Sequence, residues 1–274
     1  MVPASVGFQC PECVSEGRKN VRPAKTMYGG SIRRGGIDVT RVLVVINVAI
    51  YVITGLNAGN PFSPDPNASI YHRFALVSPD IAGGEYYRLV SSMFLHYNLW
   101  HIGFNMWALV VIGTPLEQML GRSRYVVLYF LAGLGGSVLS MAFGQVGVPS
   151  AGASGAIFGL FGAFYVITRR RGLETGPIAF LIGINLVFSF TFANIDWRGH
   201  VGGLIVGAAV AFAFAAARPG PRRDQLQAAG CVIIAVVLVA STLGAVQHVK
   251  NECRAADPRS AAAGACYEAG LLTG

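Results

Sequence analysis

Seven apolar runs separated by short polar stretches organise this 274-residue chain: Val42–Leu56, Leu99–Leu120, Tyr125–Phe143, Ser154–Thr168, Pro177–Ala193, Val201–Ala217 and Ala228–Val249. Each approaches the roughly 20 apolar residues that an α-helix needs to cross the hydrocarbon core of a bilayer. The pattern predicts an all-α polytopic membrane protein, since no soluble core of this size absorbs so much apolar sequence. Between the first two runs lies the longest connection, Asn57 to Asn98. Its scattered Phe74, Leu76, Ile81, Tyr86, Tyr87, Leu89, Val90, Met93 and Phe94 predict short helices at a membrane interface, where aromatic side chains settle.

The boundaries follow from composition. Residues 1–36 are polar and Gly/Arg-rich and are expected to form a flexible cytoplasmic tail; residues 37–217 hold six spans, 218–227 a linker, 228–249 a seventh span and 250–274 a second tail. The linker, "RPGPRRDQ", sets the seventh helix apart as an appendage to a six-helix core.

Composition agrees with this picture: the chain is 53% hydrophobic and 12% charged, with a mean hydropathy of +0.53. Its net charge of +8 could suggest nucleic acid, but 15 of the 21 basic residues fall before the first span or after the second, fourth and sixth. That alternation is a topology signal and excludes a nucleic-acid footprint. It predicts a cytoplasmic amino terminus and, after an odd number of spans, an extracytoplasmic carboxyl terminus. Of the five cysteines, Cys10 and Cys13 form "CPEC", half of a zinc site at most, and its abrupt appearance so near Met1 suggests the remnant of a module that begins upstream. Cys253 and Cys266 fall on the oxidising side, where a disulfide is chemically possible but not dictated by spacing.

Polar side chains inside membrane helices are costly, so each asks for a function. The second span carries His96, His101 and Asn105 in "HYNLWHIGFNMW"; the fourth opens on Ser154; the sixth opens on Asp196, Arg198 and His200 in "DWRGHVGG". All three spans run from outside to inside, so these groups share one outer level. His101 and Asn105 are four apart and lie on one helix face. At 1.5 Å per residue the run from Ser154 to Thr168 covers only about 22 Å of a hydrocarbon core of about 30 Å, which sinks Ser154 about 8 Å below the outer surface. Irregular backbone at that depth needs protein or a water-filled cavity around it. A submerged serine therefore implies buried water.

Glycine supplies close approach. Gly155 and Gly159 in the fourth span, with Gly203 and Gly207 in the sixth, make small-residue faces for helix packing. His200, Gly203 and Gly207 follow i, i+3, i+7 spacing, so packing through these faces brings the histidine toward Ser154. Serine is activated as a nucleophile when a neutral histidine takes its proton. An oxyanion then needs donors, which the amides at the start of the fourth helix and His101 with Asn105 can supply.

These residues resemble the rhomboid family of intramembrane serine proteases. "GASG", Gly152–Gly155, is similar to the family's nucleophile motif, "HYNLWHIGFN" to its paired histidines and asparagine, and "GHVGG" to its base motif. Glu117 and Arg88 match as well, with Tyr87 standing where many members have tryptophan. The resemblance runs over about Arg41–Ala217. It implies a Ser154–His200 dyad, an oxyanion hole from His101, Asn105 and the Ser154 amide, and an aromatic beside the base at Phe158; His96, a turn above His101, is either an auxiliary donor or a structural residue. It further implies single-span membrane-protein substrates met in the lipid bilayer and no metal or organic cofactor, while the high Ala, Gly, Val and Arg usage points to a GC-rich genome and a bacterial cell membrane.

Other chemistries fit less well. Asp196, four before His200, invites a triad, but "NID" reads as a water-exposed loop. No HExxH spacing supports a zinc protease. A transporter would carry polar groups at more than one level. The alternative that remains is a membrane protein that binds clients without cutting them; relatives of that kind typically lack the serine or the histidine, and this chain has both.

Overall fold

The computed structural model describes residues 2–3, 7–20, 25–31, 38–60, 69–192 and 195–272. Its elements run α1 Pro11–Asn20, α2 Val39–Asn57, α3 Ser69–Phe74, α4 Ser78–Ala82, α5 Arg88–Ser91, a 3-10 turn Ser92–Phe94, α6 Leu99–Leu120, α7 Arg122–Phe143, α8 Ser154–Arg170, α9 Gly176–Thr191, α10 Trp197–Ala216, α11 Arg223–Ala255 and α12 Ala261–Glu268. Each of the seven apolar runs has become a helix. Helices α2, α6, α7, α10 and α11 are long and apolar enough to cross a membrane. Helices α8 and α9, with 17 and 16 residues, are shorter. The last residue of the expected fifth span, Ala193, lies outside the described residues.

Helix ends differ from the apolar runs where polar residues extend the helix. Helix α10 begins at Trp197 because Asp196 caps it, its carboxylate accepting from the Arg198 amide at 3.2 Å. Helix α11 starts five residues before its apolar run and continues six beyond it, through helix formers such as Gln225, Gln227, Lys250 and Glu252. Hydropathy finds the membrane-compatible part of a helix and not its ends.

At the centre, α7, α8 and α10 pack on one another, with α10 packing most extensively on both of the others. A Cβ built on Gly203 would sit 1.9 Å from the Gly155 carbonyl oxygen, and one on Gly207 2.1 Å from that of Gly159. The α8 and α10 backbones therefore touch. Helix α7 closes on the same point, where the Gly159 position meets the Ala132 methyl as well as the Gly203 carbonyl, again with no space for a side chain.

Helix α2 is held by a charge from another helix. Glu117, in the last turns of α6, accepts from the Val39 and Thr40 amides at 2.8 and 2.9 Å and from the Thr40 hydroxyl at 2.9 Å. Those amides begin α2 and have no acceptor within their own helix. A carboxylate there also faces the positive end of the helix dipole.

The expectation of a loose tail over residues 1–36 fails at 25–31. This segment turns through a Thr26–Gly30 hydrogen bond of 2.7 Å and buries Tyr28 against the bundle. Met27 and Tyr28 carbonyls accept from Arg223 and Gln227 of α11 at 2.7 and 3.2 Å. Buried Gln227 also donates to the Phe214 carbonyl at 3.0 Å and accepts from Arg124 at 2.7 Å. One glutamine thereby joins the amino-terminal strap, α7, α10 and α11. Further toward the amino terminus, α1 opens at Pro11 with Cys10 and Cys13 exposed and free.

At the opposite end, α11 packs on α4 and is closed onto α12 by a disulfide between Cys253 and Cys266. Ile81, Leu89, Met141, Val246, Val249 and both of these cysteines form one apolar cluster there. Residues 250–272 are thus a folded cap on the α3–α5 connection. Replacing both cysteines by serine is expected to lower unfolding free energy by about 2–4 kcal/mol, read as a lower melting temperature in detergent that reductant reproduces in the parent protein. An unchanged melting temperature would show the cap to be held by packing alone.

Candidate active site

The α3–α5 connection is built around Arg88, which is 4% exposed. Its guanidinium donates to the His72 and Ala75 carbonyls at 2.7 and 2.9 Å and pairs with Asp80 at 3.0 Å and with Glu85. The hydrogen bond from Arg88 holds the Glu85 carboxyl below its ordinary range, while burial pushes Asp80 up against the opposing pull of Arg88. Tyr87 packs edge-on against Phe74, and its hydroxyl proton is shared between the Arg73 carbonyl and the Glu85 carboxylate, each at 3.0 Å. The tyrosine thus anchors the loop through its ring and its hydroxyl.

This connection is stitched to the segment before α8. Leu76 and Ser150 exchange backbone hydrogen bonds of 2.9 Å in both directions, and the Gly152 amide donates to the Ser92 carbonyl at 2.9 Å. Gly152 has φ +140°, a conformation that side chains rarely adopt. A Cβ placed on it would lie 2.8 Å from His101 Nε2 and 3.6 Å from Ser154 Oγ. The missing side chain is the hollow onto which both groups converge.

Ser154 is the first residue of α8 and half-buried. The amides of Ser154, Gly155 and Ala156 have no acceptor within that helix and carry the positive end of its dipole. His101 stands in the first turn of α6, after Asn98, whose side chain caps the helix by accepting from the His101 amide at 2.9 Å. The His101 Nδ1 faces the Tyr97 amide at 3.4 Å and so acts as acceptor. Nε2 then carries the ring proton of a neutral imidazole. Asn105 is buried and donates one amide hydrogen to the His101 carbonyl at 2.9 Å, with a second to give. His96 is fully buried, its ring edge-on to His101 at 4.9 Å.

His200 lies one turn into α10 and is 8% exposed. Phe158, one turn below Ser154, stacks on its ring at 4.1 Å and 10°. Because Gly199 and Gly203 of α10 both abut Gly155, His200 is held beside the first turn of α8. Its Nδ1 is 2.7 Å from the Ser189 hydroxyl of α9.

Asp196 differs from its expected solvated loop. The carboxylate is half-buried and accepts from Ser140 at the end of α7 and from Ser150 at 2.8 Å. It ties α7, the segment before α8 and the start of α10 together. Ser189, Ser140 and Ser150 had no part in the sequence reading. Ser189 was discoverable, being a polar residue within an apolar run; the other two sit near helix ends, where serine is unremarkable.

A bundle of apolar helices that brings Ser154 and His101 to one hollow, with His96, Asn105 and His200 buried at or near the starts of α6 and α10, defines a polytopic membrane protein with a polar site at one end. The family model described as Rhomboid domain matches residues 83–217. The chain is 35% identical over 211 residues to Rhomboid protease GluP of Bacillus subtilis (strain 168), covering 75% of this chain and 39% of GluP. It is 30% identical over 229 residues to RHOMBOID-like protein 6, mitochondrial, of Arabidopsis thaliana, covering 69% of this chain and 74% of that protein. Rhomboid-like protease 2 of Toxoplasma gondii is 30% identical over 188 residues, 63% of this chain and 65% of that one. The chain belongs to the rhomboid family of integral membrane proteins.

Proposed function

We propose that this protein is an intramembrane serine endopeptidase working through a Ser154–His200 dyad. The observation that carries the reading is the hollow at Gly152, faced by Ser154 Oγ and His101 Nε2, beside a histidine gripped by Phe158 and Ser189. The Ser154 oxygen attacks the substrate carbonyl carbon as His200 Nε2 takes its proton. The carbonyl electrons move to oxygen, where the His101 Nε2–H, the Asn105 amide and the Ser154 N–H donate to the oxyanion. Collapse breaks the C–N bond, and His200 returns the proton to the leaving amine. Water, deprotonated by the same histidine, then frees Ser154 from the acyl-enzyme.

The substrates we assign are single-span membrane proteins cut near the end of a transmembrane helix, in a bacterial cell membrane. The arginine-rich end of the bundle would face the cytoplasm. A fluorophosphonate probe tests the nucleophile: labelling is expected on Ser154 and is expected to vanish in His200→Ala. Probe on another serine, or equal labelling without His200, would turn the reading toward client binding.

Asp196 acts here as a structural staple. Asp196→Ala is expected to destabilise by about 1–3 kcal/mol, the cost of a lost helix cap and buried hydrogen bonds, and to leave kcat within a few-fold. A drop in kcat as deep as that of Ser154→Ala in a stably folded variant would instead make it the third member of a triad.

A further inference from the structure

In the structure Ser189 is held in a way that its position in α9 does not require. It is 2% exposed in a helix whose faces are otherwise largely open. Its hydroxyl donates to the Asn185 carbonyl one turn earlier, at 2.6 Å. A serine hydroxyl has one proton, and a carbonyl can only accept. Toward His200 Nδ1, at 2.7 Å, the Ser189 oxygen is therefore the acceptor and the imidazole the donor. A neutral imidazole carries a single N–H, so that proton sits on Nδ1.

We infer that Ser189 is a positioning residue that fixes the tautomer of His200, keeping its proton on Nδ1 and the lone pair on Nε2. This rests on the dyad reading, because the lone pair matters only if His200 is a base. Asp196, the acid nearest in sequence, does not fill this role: its oxygens are taken by Ser140, Ser150 and the Arg198 amide. The serine thus does the work that a carboxylate performs in a three-membered site, without adding a buried charge. Phe158 sets the plane of the ring, and Ser189 sets which nitrogen is free.

The test combines a spectrum with kinetics. Histidine-15N-labelled protein in bicelles, with the His200 signal identified by its loss in His200→Gln, reports the tautomer directly. The parent protein is expected to show Nδ1–H, and Ser189→Ala a mixture or Nε2–H. In liposomes Ser189→Ala is expected to lose about tenfold in kcat, the worth of one buried hydrogen bond, with KM unchanged. Ser189→Thr keeps a hydroxyl able to bond the carbonyl four residues back and is expected to recover most of the loss. An unchanged tautomer in Ser189→Ala overturns the inference, even where the parent cleaves and the protease reading stands. Conversely, a tautomer that depends on Ser189 in a protein that never cleaves upholds the positioning and removes the protease.

Discussion

Ser154→Ala is expected to reduce kcat for a single-span substrate in liposomes by roughly 10³ to 10⁶, and His200→Ala by a similar factor. The double variant is expected to be no slower than the slower single one. Nucleophile and base act as a unit: without the serine the base has no proton to accept, and without the base the hydroxyl keeps its proton. The variants should fold, since Ser154 heads a helix without capping it and a smaller side chain in either place leaves the α8–α10 glycine contact untouched. Equal cleavage by the parent and Ser154→Ala would end the protease reading. Multiplying losses in the double variant would show two independent roles.

The second large effect concerns two residues that make no chemistry. Gly203→Val and Gly207→Val are each expected to abolish detectable cleavage and to lower stability by at least about 1–3 kcal/mol, the usual cost of overpacking a filled core. The first carbon of either side chain would fall within 2.1 Å of a carbonyl oxygen of α8, an atom fixed in its own helix. The helices can relieve this only by moving apart. His200 rides between Gly199 and Gly203, so separation withdraws the base from the serine. Gly264, in α12 with open space around it, is the control: Gly264→Ala should leave melting temperature and cleavage unchanged. A fully active Gly203→Val protein would show that the contact between α8 and α10 is not what sets the site.

Much of this was legible because a bilayer makes polarity expensive. Ser154, His101 and His200 stand out in the sequence because each sits at or beside the start of an apolar run. The glycines that join α8 to α10 show as i, i+4 pairs on two helices. Ser189 escaped because serine hides its cost, bonding to its own helix through the Asn185 carbonyl. Its partner is 11 residues away across a turn, at no helical spacing. Asp196 was read as solvated because its two serine partners are 56 and 46 residues distant, and nothing local announces them. Tyr28 likewise needs Arg223 and Gln227, about 200 residues away and brought near only by the folded bundle, to turn a Gly-rich stretch into a strap.

Helix α9 has 16 residues, a rise of about 24 Å against a hydrocarbon core of about 30 Å. Phe180, Val187, Phe188 and Phe190 are exposed along it, so lipid meets this flank of the bundle directly. Lipid beside too short a wall must thin or tilt to cover it, at fractions of a kcal/mol per Å. For a single-span substrate of the kind proposed above, a helix of ordinary length would then be too long for its surroundings there, and its end would stand in headgroups and water instead of hydrocarbon. Under the proposed activity, the bilayer at α9 would itself sort substrates, favouring those whose helix ends unravel readily once they lose their lipid cover.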